Sequence, residues 1–422
     1  MQRTSVRILF VLAVLIAAFL LWRNQLVGWV SSYVVSAQTT PATIPATFAD
    51  FVIPFEIANE HIFITARVNN SRPLQFMIDT GDKYTLVDIA LAQELNLPLG
   101  GDIPIHGVGN QTVRGAFVKA SSLTLPAFPG FAQPVALAIP LRNLTPRLGH
   151  DLDGLLGSDF LQQVIVEVDY LKRTICLHNK DKFHYAGPGE SIPIHLSPAG
   201  HPVLQAAVTP TGGKEISADF ELDIGASGAL ELHSPFVAEH HLPSPNTHTI
   251  PDLGSSGVGD FSTGEIGRTA AFRIGSYTLA NPLTTFSHDT AGTMAGSVTQ
   301  GNIGQQIASR FRLFFDYSHN RIIFEPNATL GSPFDQAFSG LYLEARGEHY
   351  TTFRALKIQA DSPASAAGMQ EGDLVTAIDG RPAAALGYDA ILKVLHTNAK
   401  CILTIDRKGK SITVPLTPTP IL

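Results

Sequence analysis

The sequence predicts a mainly β protein built from two related halves and a smaller third domain. Short apolar runs bounded by Gly, Pro, Asn and Ser turns fill both halves, for example Ile62 to Val68 and Val164 to Val168. Helical patterns are few, and the clearest one is Asp88 to Leu95. Blocks of sequence also recur in the same order at offsets of 139 to 150 residues. A recurrence of this kind predicts two copies of one structural unit.

An Asp-x-Gly turn lies at the centre of each copy. A single Asp-x-Gly indicates little, because Asp and Gly are among the commonest turn residues. Here the surrounding sequence repeats as well, and each turn follows an apolar run. The paired blocks are Ile53-Pro54-Phe55 with Ile192-Pro193-Ile194, Asp79-Thr80-Gly81 with Asp223-Ile224-Gly225, Gly107-Val108-Gly109 with Gly257-Val258-Gly259, and Gly154-Leu155-Leu156-Gly157 with Gly301-Asn302-Ile303-Gly304. Each copy therefore contributes one turn-mounted aspartate.

The two copies resemble the lobes of a single-chain aspartic protease of the pepsin/retropepsin type. In that family each lobe supplies an Asp-[Thr/Ser]-Gly loop, a flap hairpin that contains glycine, and an apolar-apolar-Gly segment packed behind the loop. The resemblance implies lobe one at 51–189 and lobe two at 190–331, with a catalytic cleft between them. It implies catalytic roles for Asp79 and Asp223. The residues it implies for the flap and for support of the loops are Gly107, Val108, Gly109, Thr80, Gly81, Ile224 and Gly225.

The chemistry of peptide hydrolysis suits such a pair of aspartates. The reaction needs a nucleophilic water and a proton for the leaving amine. Two carboxylates that share one proton can supply both, because like charges at close range do not both ionise readily. The ionised partner takes a proton from water, and the protonated partner polarises the scissile carbonyl. The glycine after each pair permits the tight backbone that directs both carboxylates inward.

Several positions depart from the family pattern. Ile224 stands where the family has Thr or Ser, so we expect one of two cross-lobe hydrogen bonds to be lost, about 0.5–1.5 kcal/mol. Asn302 replaces the first apolar residue of the late segment in lobe two. Asp82 could be a third acid near the pair, but the sequence favours a surface pairing with Lys83. Neither Asp82 nor Ala226 offers the hydroxyl that helps hold the pair anionic in pepsin-like relatives, which predicts activity toward neutral pH.

Residues 332–422 change character and resemble a bacterial-type PDZ domain, a small α+β fold. The segments that carry this resemblance are Asp361-Ser362-Pro363-Ala364, Glu371-Gly372-Asp373-Leu374-Val375 and Ala377-Ile378-Asp379-Gly380. PDZ domains bind a peptide as an added strand at an open sheet edge. Gly340 and Leu341 match the loop that would hold the peptide carboxylate. An ordinary domain-joining turn is the alternative for these two residues.

The N-terminal segment, residues 1–37, is predicted to enter a membrane. Two arginines precede a continuous apolar stretch from Ile8 to Trp22. An uncleaved signal anchor with an apolar helix is the preferred interpretation, and a signal peptide cleaved near Ala37 is the alternative. The positive end places the rest of the chain outside the cytoplasm. Residues 38–50 are rich in Thr, Pro and Ala, which predicts a linker.

Composition and charge further limit the partners and cofactors that we expect for the chain. The 422-residue chain has a net charge of −7 and no basic block, so nucleic acid is not an expected partner. Its two cysteines, Cys176 and Cys401, each lie in a strand-like run and are expected to be buried thiols. The histidines do not fall at metal-site spacings, so neither a metal nor a cofactor is expected.

Together these observations predict a membrane-tethered, extracytoplasmic aspartic endopeptidase, periplasmic or at the cell surface. Its partners would be a polypeptide substrate in the interlobe cleft, a C-terminal or extended peptide at the PDZ groove, and the membrane at the N-terminus. Cleavage of the N-terminal segment would make the protein secreted. The alternative function is a catalytically inactive relative that binds peptides, which the loss of a hydroxyl at Ile224 favours.

Overall fold

The chain is mainly β, as the sequence predicted. The computed structural model describes residues 42–46, 48–109, 111–252, 256–334 and 337–420. The segment at 1–37, with its predicted apolar helix, lies outside these residues. Within the described ranges, every helix is too short or too polar to cross a bilayer.

The first half of the fold consists of short strands that follow the predicted apolar runs. Its strands are β1 (Phe51–Pro54), β2 (Glu56–Ala58), β3 (His61–Val68), β4 (Leu74–Ile78), β5 (Leu86–Asp88), β6 (Leu99–His106), β7 (Thr112–Val118), β8 (Leu123–Thr124), β9 (Leu137–Ile139), β10 (Gly154–Leu156), β11 (Ile165–Asp169) and β12 (Thr174–His178). We call this half lobe one.

The second half, lobe two, repeats this plan. Its strands are β13 (Glu190–Leu196), β14 (Pro202–Thr209), β15 (Ile216–Leu222), β16 (Leu230–Leu232), β17 (Ile250–Pro251), β18 (Ser256–Gly257), β19 (Asp260–Phe261), β20 (Gly264–Arg268), β21 (Ala271–Ile274), β22 (Tyr277–Ala280), β23 (Leu283–Ser287), β24 (Gly301–Ile303), β25 (Phe311–Asp316) and β26 (Arg321–Pro326). Parallel pairs β4–β10 and β5–β9 in lobe one correspond to β15–β24 and β16–β23 in lobe two.

The remaining strands form a separate C-terminal unit. They are β27 (Ala337–Phe338), β28 (Leu341–Arg346), β29 (Thr352–Ile358), β30 (Leu374–Ile378), β31 (Arg381–Pro382), β32 (Cys401–Arg407), β33 (Lys410–Leu416) and β34 (Thr419–Pro420). Six of them form a sheet in the order β28-β29-β30-β32-β33, with β31 also paired to β30, which leaves β28 at an edge. This unit has its own apolar core, formed by residues such as Phe353, Ile391 and Leu403.

Helices are short throughout the described chain. The α-helices are Ile89–Glu94, Thr145–Leu148, Ser158–Leu161, Ser234–Glu239, Gln305–Ala308, Pro363–Ala366, Ala383–Leu386 and Tyr388–Leu395, and the 3-10 helices are Thr293–Ala295, Tyr317–His319 and Glu348–Tyr350. The predicted helix at Asp88 to Leu95 is present. It begins where the Asp88 side chain accepts a hydrogen bond from the N–H of Leu91, which caps the free amides of the first turn.

The two lobes are joined by a sheet to which each contributes three strands, in the order β1-β12-β11-β25-β26-β13. At its centre β11 pairs with β25 in antiparallel register, and Glu167 lies opposite Phe314. These two residues are 147 residues apart, the same offset that relates the late glycine segments. The pseudo-two-fold axis of the molecule therefore passes through this pair. One large apolar core extends across both lobes beneath it.

Candidate active site

Each Asp-x-Gly loop starts where one strand of a parallel pair ends. The N–H of Asp79 donates to the carbonyl of Leu156 at 3.1 Å, and the N–H of Asp223 donates to that of Ile303 at 3.0 Å. These carbonyls belong to the late apolar-Gly segments, β10 and β24. The segments thus fix the position at which each loop leaves its sheet, and the two lobes do so in the same way.

The structure brings Asp79 and Asp223 together across the two loops. In each loop the glycine N–H donates to the aspartate before it, from Gly81 to Asp79 Oδ1 at 2.9 Å and from Gly225 to Asp223 Oδ1 at 2.8 Å. A Cβ atom on Gly81 would overlap the Asp223 carboxylate, and one on Gly225 would overlap that of Asp79. Each carboxylate therefore packs against the bare backbone of the opposite loop, and any side chain there would separate the pair.

Thr80 forms the predicted cross-lobe contact. Its buried hydroxyl donates to the carbonyl of Leu222 at 2.7 Å and accepts from the N–H of Ile224 at 2.9 Å. The Ile224 side chain is fully buried in the shared core and has no group to return such a bond. Its own carbonyl accepts from Gln305 Nε2 at 2.7 Å. The loops are therefore held by one hydroxyl and by apolar packing.

Electrostatics give the pair unequal affinity for a proton. Burial raises the pKa of Asp79 well above its usual range, and the charges of Asp223 and Asp82 raise it further. Burial also raises the pKa of Asp223 to about 6, with a contribution from Glu221, while His201 opposes the increase. Burial and mutual repulsion therefore keep a proton on the pair at a higher pH than an isolated carboxyl would hold it, and the His201 charge favours the ionised form of Asp223.

The structure favours Asp82 as a third acid beside the pair, in contrast to the surface pairing with Lys83 preferred from the sequence. The Asp82 carboxylate is half-buried and accepts from the N–H of Tyr84 at 3.1 Å. Burial raises the pKa of Asp82 to about 7. The hairpin after β13 lies beside this loop: a Cβ on Gly200 would lie 3.2 Å from the Lys83 side chain, the Gly200 carbonyl accepts a hydrogen bond from Ser158 at 3.2 Å, and the charge of His201 lowers the pKa of Asp82.

Sequence reasoning missed His201 and Glu221. His201 Nδ1 lies 2.8 Å from Glu221 Oε1, and Glu221 is only 8% exposed. Burial lowers the pKa of His201, but the hydrogen bond to Glu221 and the charges of Glu221, Asp82 and Asp223 outweigh this and raise it. A comparison of the lobes contains a signal, because Glu221 occupies the position of Met77, two residues before the aspartate.

The predicted flap residues meet their repeats from the other lobe. Gly107, Val108 and Gly109 connect β6 to β7, and a Cβ on Gly257 would lie 2.7 Å from the Val108 side chain. The N–H of Gln111 donates to the carbonyl of Gly259 at 3.0 Å. Val258 packs against an apolar cluster that includes Met77 and Leu155, close to the Asp79 loop. Both lobes thus present a hairpin, and the tips touch each other beside the strands that lead into the Asp79 loop.

The PDZ loop residues lie at the start of the edge strand β28. Gly340 has a φ of +72° and its carbonyl accepts from the N–H of Gln359 at 2.9 Å. The N–H of Leu341 donates to Ser339 Oγ at 3.2 Å, and the Leu341 side chain is buried. The loop is therefore held by internal hydrogen bonds, and a role for these two residues in peptide binding remains a prediction.

One group of side chains in the described residues has the proximity of metal ligands. Asp50, Cys176 and His178 offer ligand atoms within 4.8 Å of one another. Both ring nitrogens of His178 already face carboxylates, Nδ1 to Asp50 at 3.0 Å and Nε2 to Glu167 at 2.9 Å. A metal would have to displace these ion pairs. Cys176 and Cys401 are free thiols, of which Cys401 is buried and Cys176 half-buried.

Comparison with known proteins agrees with this architecture. A family model described as aspartyl protease matches residues 64–160, a range that includes the Asp79 loop. A PDZ domain model matches residues 355–407. No curated protein matches the chain. The chain therefore combines an aspartyl protease domain with a C-terminal PDZ domain.

Proposed function

We propose that the protein is an aspartic endopeptidase in which Asp79 and Asp223 activate one water molecule for attack on a peptide bond. The proposal rests on one reciprocal contact, in which each carboxylate packs against the glycine of the opposite loop. Such mutual packing requires both loops to be glycine-containing and in register. The aspartyl protease family match supports a protease function in general.

In the proposed mechanism the two aspartates have different roles. Asp223 is the general base, because the His201 charge favours its ionised form, whereas the charged groups that act on Asp79 are the acids Asp223 and Asp82. Asp79 holds the shared proton and donates it to the scissile carbonyl oxygen as water attacks. The resulting tetrahedral intermediate collapses when the leaving amine takes a proton from the pair. Two carboxylates facing each other provide both functions without a metal.

The hairpins would enclose the substrate. Their tips contain four glycines, Gly107, Gly109, Gly257 and Gly259, and they touch through backbone and valine contacts. A peptide can enter only if the tips separate, and glycine-rich turns allow such movement. Closure afterwards would exclude bulk water from the two aspartates.

We further propose that the protease is tethered outside the cytoplasm by its N-terminal segment. The support is the sequence alone: a positive end, an apolar stretch from Ile8 to Trp22, and the Thr/Pro/Ala-rich linker at 38–50. The linker would hold the cleft away from the membrane surface. Fractionation of cells that produce the full chain, with protease accessibility from the outer side, tests this placement.

The decisive test of the activity is digestion of casein and a peptide library by the full chain and by Asp79→Asn and Asp223→Asn variants. Each single variant should abolish turnover almost as completely as the double variant, because catalytic residues that act as a unit are strongly non-additive. A pepstatin-like inhibitor should block the wild-type chain. Substantial activity in either single variant would contradict the assignment.

The inactive, peptide-binding alternative derives its support from Ile224, which cannot mirror the Thr80 hydrogen bonds. The same digestion distinguishes it. A chain that binds library peptides but releases no new termini, with or without Asp79, would establish the alternative.

A further inference from the structure

A row of side chains beneath the cleft is apolar in lobe one, whereas the equivalent row in lobe two is mostly polar and includes two acids. In lobe one the row crosses five neighbouring strands, and register places Met77, Leu155, Leu86, Leu137 and Phe117 side by side. Every member is apolar. In lobe two the corresponding strands place side by side Glu221, Asn302, Glu231, Thr285 and Ile266. Four of these five are polar, and two are acids.

The row faces the aspartates in both lobes. Side chains two residues apart on a strand point to the same face, so Met77 shares the face of Asp79 and Glu221 shares that of Asp223. In lobe one the row packs with the flap residues Ile103 and Ile105. Both rows therefore lie on the aspartate-bearing face of their sheets, one on each side of the pair.

The acidic row contains buried polar atoms that find no partner in the described part of the chain. Asn302 is 7% exposed and lies between the two glutamates in the strand register, and its Oδ1 makes no hydrogen bond among the described residues. Oε1 of Glu231 is buried and also unpaired. Buried acceptors without donors are costly, so each calls for a water, an ion or a ligand group as its donor. In this row the two acceptors in need of one are Asn302 Oδ1 and Glu231 Oε1.

The charges around Glu231 point to a cationic donor. The charged neighbours that act on it are Asp252, Asp223 and Asp289, all negative. Burial, followed by these charges, raises the pKa of Glu231 to about 8, so near neutral pH the carboxyl keeps a proton until a cation replaces it. The other acid, Glu221, already has His201 as its partner. An incoming ammonium or guanidinium group would supply both the missing positive charge and the missing donors.

We propose that Glu231, Asn302 and Glu221 form a subsite on the lobe-two side of the aspartate pair that takes a lysine or arginine side chain of the substrate. The apolar row of lobe one takes an apolar side chain on the other side of the scissile bond. This inference rests on the proposed protease function and names its substrate class. Glu231 and Asn302 are specificity-determining residues and take no part in the bond cleavage itself.

The test is digestion of a randomised peptide library by the full chain in detergent, with cleavage sites read by mass spectrometry. We expect lysine and arginine to be enriched at one position beside the cut and apolar residues at a position across it. In a peptide that is cut well, acetylation of the lysine side chain should lower kcat/KM by roughly tenfold or more, since it removes the charge but keeps the length.

Variants show which residue produces the preference for a basic side chain. Glu231→Gln should lose most of the difference in kcat/KM between lysine and acetyl-lysine peptides. Glu265→Gln is the matched control, since Glu265 lies on β20 one residue before Ile266 and so points to the opposite face of the sheet. It should keep the wild-type preference. The acetyl-lysine comparison uses wild-type protein and so does not depend on how a variant folds.

The outcomes distinguish a failure of the subsite proposal from a failure of the proposed protease function. Peptides that are cut without a basic preference, or a preference that survives in Glu231→Gln, would overturn the subsite and leave the protease intact. A library that is not cut at all would overturn the protease function and the subsite together.

Discussion

The hydroxyl of Thr80 in lobe one is bonded to both sides of Ile224 in lobe two: it accepts the N–H of Ile224 at 2.9 Å and donates to the carbonyl of Leu222, two residues earlier, at 2.7 Å. All three residues are fully buried. A single side chain thus closes the contact between the catalytic loops. In a symmetric pair two such hydroxyls would share this role, so the stability of the site depends unusually on Thr80.

The first prediction follows from this dependence. Thr80→Val removes the hydroxyl at nearly constant volume and leaves two buried backbone groups without partners, at about 1–3 kcal/mol each. We expect a clear loss of thermal stability and a decrease in kcat of roughly tenfold or more, because small displacements of catalytic groups are costly. Thr80→Ser keeps the hydroxyl and should retain most activity. If the Thr80→Val and Thr80→Ser variants had the same thermal stability and kcat, the two hydrogen bonds would be dispensable.

The second prediction concerns Ile224. Ile224→Val removes one methylene from the shared core and should cost about 1 kcal/mol. Ile224→Thr has the same shape as the Val variant and adds a hydroxyl that can mirror Thr80. We expect the free energy of unfolding of the Ile224→Thr variant to exceed that of the Ile224→Val variant by about 0.5–1.5 kcal/mol, the usual net value of a hydrogen bond. Chemical denaturation measures the difference. A Thr variant that is less stable than Val would mean that this site tolerates only apolar groups.

The third prediction concerns the contact between the lobe-two hairpin and the PDZ domain. The Phe261 ring lies against two cations, with Lys357 Nζ at 3.7 Å and the Arg147 guanidinium carbon at 4.6 Å from its centroid. Each cation–π contact contributes about 0.5–1 kcal/mol at a partly exposed site. Phe261→Leu keeps apolar bulk but loses both, so amide hydrogen exchange in the hairpin at 256–261 should become several-fold faster. Phe261→Tyr is the control that keeps the ring.

An unchanged exchange rate in Phe261→Leu would show that other contacts hold the domains. Two are available: Tyr350 OH donates to Asp151 Oδ1 at 2.7 Å, and the N–H of Asn59 donates to Asp389 Oδ1 at 3.0 Å. The helix Thr145–Leu148 of lobe one also lies beside the edge strand β28. The PDZ domain is therefore packed against the lobe that carries Asp79, close to its own open edge.

The repeat explains why much of the fold could be predicted from the sequence. Blocks such as Asp79-Thr80-Gly81 and Gly107-Val108-Gly109 are local, and their order predicts two lobes related by a pseudo-two-fold axis. That axis in turn brings Asp79 and Asp223 together. The residues that the repeat shares are thus the ones whose placement follows from sequence.

The remaining features depend on contacts between elements distant in the chain. Asp82 interacts with the charge of His201, which lies on the opposite lobe, and its sequence neighbour Lys83 gave no indication of this. The meeting of Val108 with Gly257 is equally a matter of three-dimensional packing. From the sequence, the acidic row could be recognised only at Asn302, which interrupts an otherwise apolar motif. Its other members lie on separate strands, and only the strand register places them side by side.

The last prediction concerns pH. In the proposed mechanism, activity requires Asp223 ionised and Asp79 protonated. The pKa of Asp223 is about 6 and that of Asp79 lies well above its usual range, so kcat/KM should rise as pH increases through about 6 and remain high toward neutrality. Below pH 6 both carboxyls are protonated and no base is left. The sequence predicted the same direction from missing hydroxyl donors, whereas the structure attributes it first to burial.

His201 provides the test of this electrostatic account. The titratable side chains that interact with Asp223 are Asp79, Asp82, Glu221, Glu231 and His201, and His201 alone among them can carry a positive charge. His201→Gln removes that charge and leaves Glu221 without its partner, and both effects disfavour ionised Asp223. The acidic limb of the pH–rate profile should therefore move to higher pH by about 0.5–1 unit. His195→Gln, at an exposed position on β13, is the matched control and should leave the profile unchanged. A limb that stays in place, or moves toward acid, would show that His201 does not set the ionisation of the pair.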